Sequence, residues 1–415
     1  QADAFEQEVH NGLNLDTDMK LDDLLDRWFE QYIDKKCKPK TASEYRYLRP
    51  RISAALGHLK VSQIKPAHLM LFYNDLDSTY TATTALLELL PRGQRQEMTK
   101  AAGIGGRSMT CICAGQGVSR TTAEKVSSAA GLPFSKAFTE HAREGGKLNG
   151  NTVQHYHRML SSVFTKAVQW GIVQDNPVKR AEPPKGAAVS VSYLEETDVA
   201  KLLAALHDAP PQYSAIVQLG LFTGMRRGEI CGLRWSDIDF AKGTISVNRT
   251  MEYIPHQGLI FTEPKTRASN RTFKVGSNCL DMLKEYQLYQ RGQRMKIGTA
   301  WASTVQIENG KAVPNDLLFT RWDGSPLDLN KVTTWFPKFM REHDLPAVTV
   351  HSLRHTYASL MIAAHVPIVT VAGRLGHAQT STTVDVYAEF IKTADAAASD
   401  AMDVVFDRIK EKTHA

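Results

Sequence analysis

The stretch Asp175 to Val191 (DNPVKRAEPPKGAAVSV) most constrains how this chain can fold. Proline, glycine, lysine and alanine crowd it, and neither helical nor strand periodicity runs through it, which is the composition of a linker. A chain of 415 residues is expected to hold two or three domains, and this stretch divides it. Before it the apolar pattern is helical. After it helices alternate with a strand-rich stretch from Thr244 to Val275. The expected fold class is mainly α with a small antiparallel β-sheet. Hydrophobic residues make up 42% of the chain, enough to bury a core on each side.

Upstream, Lys20 to Tyr32 places Leu21, Leu24, Leu25, Trp28 and Phe29 at helical spacing. Thr41 is the expected N-cap of a second helix carrying Tyr45 and Leu48. Val61 to Ile64 and Pro66 to Leu76 suggest a third. Asn151 to Trp170 reads as a long amphipathic helix with Val153, Tyr156, Leu160, Val163, Phe164 and Val168 inward. Together these describe a small helical domain over residues 20–174, interrupted by an insertion at about 81–148. Within the insertion, Glu97 to Leu132 runs helix, Gly103, a helix with Arg107, Ser108 and Thr110, then Gly115-Gln-Gly117 and a helix from Thr121. That order resembles the lambda-repressor type of helix-turn-helix, which sets a short helix in a major groove. A packed helical insertion that touches no DNA is the competing reading, since such signatures recur by chance.

The five cysteines have no framework spacing and read as reduced thiols. Cys111 and Cys113 lack a nearby second pair, so a zinc site is not expected. No apolar run is long enough to span a bilayer and no signal peptide is visible, so a soluble, cytoplasmic protein is expected. The formal charge of +6 permits a polyanionic partner without requiring one. The chain starts at Gln1 rather than Met, and Ala2 to Asn11 reads as the end of a helix that something folded precedes.

Four short segments carry chemistry. Thr223-Gly-Met-Arg226-Arg-Gly-Glu229 leads an arginine into a helix start, where its fork can clamp a phosphate. Glu263-Pro-Lys265-Thr-Arg-Ala-Ser-Asn-Arg271 is read as a turn between strands 259–261 and 272–275, with Lys265 at the hairpin tip. His351-Ser-Leu-Arg354-His355 sets two histidines and an arginine on one helix face. Leu375-Gly376-His377 suggests a helix terminus whose backbone N–H groups favour an anion, and Tyr387 follows on a short helix. Taken singly, each has a bland alternative: a solvated Arg-Arg face, a charged turn, a structural histidine, a core tyrosine.

Their order is less ordinary. A Thr-Gly-x-Arg, a hairpin lysine, a His-x-x-Arg, a Leu-Gly-His and a tyrosine one helix later resemble the tyrosine recombinases of the phage-integrase family, in particular integrases of conjugative transposons and temperate phages. The resemblance is strong over Tyr193 to Phe390 and looser over Leu21 to Trp170. It implies a helical core-binding (SAM-like) domain over 20–174, a linker over 175–191, a mixed α/β catalytic domain over 192–392 and a tail helix over 393–415, with residues 1–19 a lead-in and the usual arm-binding domain missing. It implies a catalytic set of Arg226, Lys265, His351, Arg354, His377 and the nucleophile Tyr387. In that set Arg226 and Arg354 neutralise the phosphate, His351 is the candidate base for the phenol, and Lys265 is the candidate acid for the leaving 5′ oxygen. No cofactor, metal or nucleotide is expected. The implied partners are double-stranded DNA attachment sites, three further copies in a tetramer, an excisionase and a host DNA-bending protein. Alternatives left open are a type IB topoisomerase-like enzyme, a DNA-binding regulator that reads through the insertion, and an inactivated recombinase. The apolar stripe Met402, Val405, Phe406 and Ile409 is expected to dock on a neighbouring copy or on its own catalytic domain.

Overall fold

A computed structural model describes residues 18–76, 78–142, 150–186, 192–255, 257–264, 267–306, 312–384 and 386–387. The expected N-terminal helix end, Lys265 and the tail stripe all lie outside the described residues. The chain divides into two compact units, 1–189 and 190–415. Both are mainly helical with small antiparallel sheets. No helix among the described residues is long and apolar enough to cross a membrane.

In the first unit, α1 (Leu21–Trp28) buries every residue of its expected apolar stripe and runs into a π turn that also buries Phe29 and Ile33. α2 (Pro39–Leu56) begins three residues earlier than expected. Pro39 takes its first position, where a missing N–H costs nothing, so Lys38 is the N-cap and Thr41 lies inside. α3 (Pro66–Asp75) starts in the same way. The insertion then opens with β1 (Ser78–Ala82), continues through α4 (Thr84–Glu88), α5 (Arg95–Ala101), α6 (Gly106–Cys113), α7 (Arg120–Ala129) and α8 (Phe134–Ala137), and closes with β2 (Phe138–Ala142). β1 and β2 pair antiparallel, a strand pair that the helical pattern on either side did not suggest. α9 (Gly150–Gln169) resumes the helical domain. Its inward face is the expected one except at Val168, which is 37% exposed, while Met159 and Ala167 are buried in the core.

The linker is shorter than its composition suggests. Asn176 donates to the Ser161 carbonyl and Thr165 Oγ1 at 3.0 Å each and accepts from Val178 N, and Val178 is fully buried. One hydrogen-bonded asparagine thus ties 176–181 to α9 despite a linker-like sequence.

In the second unit, α10 (Glu196–Ala205) leads to α11 (Pro211–Thr223), whose Ile216, Val217 and Leu219 are fully buried. α12 (Arg227–Cys231) follows. β3 (Ile238–Asp239), β4 (Thr244–Val247) and β7 (Arg271–Lys274) make a three-stranded sheet, while β5 (Thr250–Ile254) and β6 (Gly258–Thr262) pair as a separate hairpin. The expected hairpin between 259–261 and 272–275 is therefore not formed. β6 is paired with β5 and β7 with β4, so the segment holding Lys265 connects two sheets. α13 (Ser277–Ile297), the pair β8 (Thr304–Gln306) and β9 (Ala312–Pro314), α14 (Leu329–Glu342), α15 (Ser352–Ala363) and α16 (Ile368–Leu375) complete the unit, with α11 packed on both α13 and α15.

Candidate active site

The site is built where α11 stops. Gly224 adopts φ +63°, and a side chain there would strike Tyr357 and Leu375, so both conformation and space demand glycine. Its carbonyl accepts from Arg354 Nη1 at 2.9 Å. Arg354 comes from α15 and is 3% exposed. Its Nη2 is buried and has no hydrogen-bond partner among the described residues. Burial, then the charge of Arg226, pushes the guanidinium pKa down to about 9, still cationic at neutral pH.

Arg226 is the N-cap of α12. Its backbone N–H and its Nη1 both donate to Glu229, at 3.0 and 2.9 Å. Glu229, 2% exposed, also accepts from Arg271 Nη2 at 2.9 Å. Burial alone would raise this carboxyl's pKa; the hydrogen bond and charge of Arg271, with Arg226 added, outweigh it and hold the pKa below the usual value. Arg271 also donates to the carbonyls of Arg374 and Ser269. Neither Glu229 nor Arg271 had been assigned a role from sequence. Three-residue spacing between Arg226 and Glu229, a capping-box interval, was the available signal for the first. Arg271 had none, because its partner lies 42 residues away.

Arg227 is directed elsewhere, donating to the Leu329 carbonyl at 3.3 Å and to Thr333 Oγ1 on α14. The adjacent arginines are thus separated into one that joins the Glu229 cluster and one that ties helices together.

His351 stands at the N-cap of α15, its ring 5.1 Å from that of His355. Its pKa is lowered, first by burial and then by Arg354, Arg226 and Arg227. The partner of the tyrosine is His355: its Nδ1 lies 2.8 Å from Tyr387 Oη. His351 is the expected base for the phenol; the histidine at hydrogen-bond distance from the hydroxyl here is His355. One helical turn separates the two histidines, and the later one bonds Tyr387. Burial, with His351 and Arg354 nearby, pushes His355 down to about 4, so at neutral pH it is an uncharged imidazole able to accept a proton. Tyr387 is 1% exposed, and burial raises its hydroxyl to about 12, with Arg354 opposing.

His377 follows Gly376, which closes α16 at φ +69°. The terminus at that glycine is therefore a C-terminus, which presents carbonyls, and the expected anion-binding N–H groups are not what it offers. The His377 ring is held instead by Thr383 Oγ1, 2.7 Å from Nδ1. Burial first, then Arg354 and Arg226, pushes its pKa down to about 4. Tyr357, another tyrosine on α15, accepts from Arg374 Nε and is 5% exposed.

Five of the six expected site residues, Arg226, His351, Arg354, His377 and Tyr387, thus lie in one unit, His351 and Arg354 both on α15, and the charge of Arg354 acts on or is felt from each of the other four. Lys265 is the sixth. The assembly offers two guanidiniums, one with a free buried donor, two neutral imidazoles, and a phenol bonded to a third. It suits an anion with several oxygens.

Residues 192–393 match the phage integrase family, and residues 20–76 match the phage integrase N-terminal SAM-like domain. The tyrosine recombinase XerC-like protein of Caldanaerobacter subterraneus subsp. tengcongensis is 28% identical over 257 residues, covering 59% of this chain and 63% of that protein. The ICEBs1 integrase of Bacillus subtilis is 24% identical over 267 residues, covering 64% of this chain and 68% of that one. The chain therefore spans about two thirds of the length of these relatives. Among solved structures, the Tn1549 transposon integrase in complex with transposon right end DNA is similar in fold, with a TM-score of 0.61 at 15% identity over 89% of this chain and 95% of that one.

Proposed function

The chain belongs to the phage integrase family, and from that premise we propose that it is a site-specific DNA recombinase acting through Tyr387. The observation that carries the reading is Arg354: a buried guanidinium with one donor already on the Gly224 carbonyl and another left without a partner, in the charge field of Arg226 and Tyr387. A buried unsatisfied donor is costly, about 1–3 kcal/mol, and a phosphate oxygen would relieve it.

In this mechanism Tyr387 Oη attacks the phosphorus of a strand phosphate and passes its proton to His355 Nδ1. The bond to the 5′ oxygen breaks, and a 3′-phosphotyrosyl link holds the strand. Lys265 protonates the leaving oxygen. Arg226, Arg354 and His377 stabilise the charge that builds on the non-bridging oxygens, where losing one such donor costs on the order of 100-fold in rate or more. Attack by the 5′ hydroxyl of a partner strand reverses the step and releases Tyr387. The tyrosyl phosphate conserves the bond, so no nucleotide is consumed. The substrates in this reading are double-stranded attachment sites, exchanged within a tetramer and directed by an excisionase and a host DNA-bending protein. Tyr387 is covered in the free chain, so engagement of DNA has to open the pocket before attack.

The test is a suicide substrate, an attachment-site duplex nicked so that the cleaved end is lost. The wild-type chain should give a covalent adduct on a denaturing gel in EDTA, and Tyr387→Phe should bind the duplex and give none. An adduct in the Phe variant, or strict dependence on a divalent ion, would overturn the assignment.

A further inference from the structure

The insertion has no part in this chemistry. Residues 78–142 close on themselves: β1 and β2 pair from Ser78↔Ala142 to Ala82↔Phe138, so the excursion leaves and re-enters the helical domain at adjacent points. Between them lies a separate core, including Tyr80, Leu86, Leu90, Met109, Ile112, Val118, Ala123 and Val126. Asp75 at the end of α3 anchors it, accepting from Tyr80 Oη at 3.0 Å and Arg120 Nη1 at 2.9 Å. The matched SAM-like domain ends at residue 76 and the matched integrase domain starts at 192, so neither accounts for this module.

Inside it, α5 and α6 are joined by the four residues 102–105. Gly103 at φ +58° turns the chain, and the N–H groups of Gly103 and Ile104 close α5 on the carbonyls of Lys100 and Thr99. On α6, Met109 and Ile112 face the core while Arg107 and Thr110, and the C-cap Ala114, are exposed, at positions i, i+3 and i+7. A second helix held by two apolar residues with a polar face outward is the geometry that enters a major groove.

Two further observations select DNA over a protein partner for that face. α6 carries no acidic residue, and Arg92, Lys100 and Arg107 are exposed without an ion pair among the described residues. Over residues 78–142 there are seven Lys and Arg against four Asp and Glu. Gly105 and Gly106, at the start of α6, have no left-handed φ, and a methyl at either would meet nothing within 4 Å. Gly105 is the N-cap of α6, a position that suits glycine, but nothing among the described residues requires glycine at Gly106, where alanine is the better helix former. A bare backbone at that point serves a surface that approaches from outside.

We propose that α5 and α6 form a second DNA-reading element, with the Arg107–Thr110 face of α6 set in the major groove of a duplex. Arg107 would fork onto guanine O6 and N7. Thr110, whose hydroxyl donates to the Gly106 carbonyl at 3.0 Å, would offer its methyl to a thymine. Gly105 and Gly106 would admit the duplex close to the backbone. The chain then reads sequence at a site independent of the phosphate chemistry at Tyr387.

The test is selection from a library of random duplexes with the whole chain carrying Tyr387→Phe, repeated with Arg107→Ala/Thr110→Ala added and, separately, with Gly106→Ala added. The expected result is that the parent enriches a sequence of which one stretch disappears in the double variant. Affinity for the enriched duplex should fall about 10- to 100-fold. Gly106→Ala should weaken the same binding while melting no lower than the parent, a pairing that a purely structural glycine would not give. Because that variant leaves the fold at least as stable, it decides the matter even if the double variant melts early. The same enriched sequence with the same affinity in all three chains would overturn the proposal and leave the face to a protein partner. That result would leave the adduct test of Tyr387 untouched.

Discussion

Two sets of arginines in this chain are built on opposite principles. Around Tyr387 the guanidiniums of Arg271 and Arg354 are buried, gathered from distant strands and helices, and balanced by one buried carboxylate, Glu229. In the insertion Arg92 and Arg107 stand on the surface of a small module. Burial makes a charge strong and exacting: it needs a counter-ion, it shifts the pKa of its neighbours, and it leaves donors that only a ligand can satisfy. Exposure makes a charge replaceable, screened by salt and useful mainly for attraction over distance. The contrast separates the site proposed to do chemistry on a phosphate from the surface proposed to read base edges.

Substitutions can break or sharpen that contrast. The largest effect on stability is expected at Arg271→Ala, which takes from buried Glu229 one of its two guanidinium partners and leaves it only Arg226 among the described residues. Losing one partner of a buried pair costs about 3–5 kcal/mol, and thermal melting of the second unit should show it. A loss under about 1 kcal/mol would place Arg271 with the surface arginines. Next is Arg226→Lys, expected to cut adduct formation on the order of 100-fold or more, since lysine cannot reproduce the fork. Arg227→Lys should cost far less, because Arg227 binds the Leu329 carbonyl and Thr333 instead. Equal losses would show that both arginines serve the phosphate.

A smaller effect is expected from pH. His355 and His377 titrate at about 4 in the folded chain against an ordinary 6.5. Between those values the unfolded chain binds more protons, so stability rises with pH there. The contribution is complete above pH 6.5 and is lost as pH falls toward 4. Melting of the second unit followed between pH 7 and 4 should show the decline, and His355→Asn should flatten it; an unchanged slope would mean that burial does not hold these rings neutral. The smallest effect is expected at Arg120→Ala. Its pairs with Asp75 and Glu124 are half exposed, and such bridges contribute about 0–1 kcal/mol. A larger loss would mean that the insertion is fixed to its host by charge rather than by its core.

Much of the fold was legible because local pattern and burial agree. Leu21, Leu24, Leu25 and Trp28 repeat at helical spacing and all four are buried, and α9 was found within a residue of its ends. The misplacements share a cause. Asn176 looks like a linker residue until Ser161 and Thr165 supply its partners. The strands flanking Lys265 look like a hairpin until β5 and β4 claim them. Gly376 marks a helix terminus, but which terminus depends on the chain before it.

By itself the sequence determined the helical character of both units and the ordered motifs that hold Arg226, His351, Arg354, His377 and Tyr387. These are properties of spacing, which a chain carries before it folds. Tertiary structure alone decided which histidine meets Tyr387, which of two adjacent arginines faces Glu229, and that Arg271 shares that carboxylate across 42 residues. One turn of helix separates His351 from His355, and Arg226 and Arg227 are neighbours in the chain. Differences that small are set by how elements distant in sequence are packed together, and a burial-dependent charge balance has no trace in the order of the residues that make it.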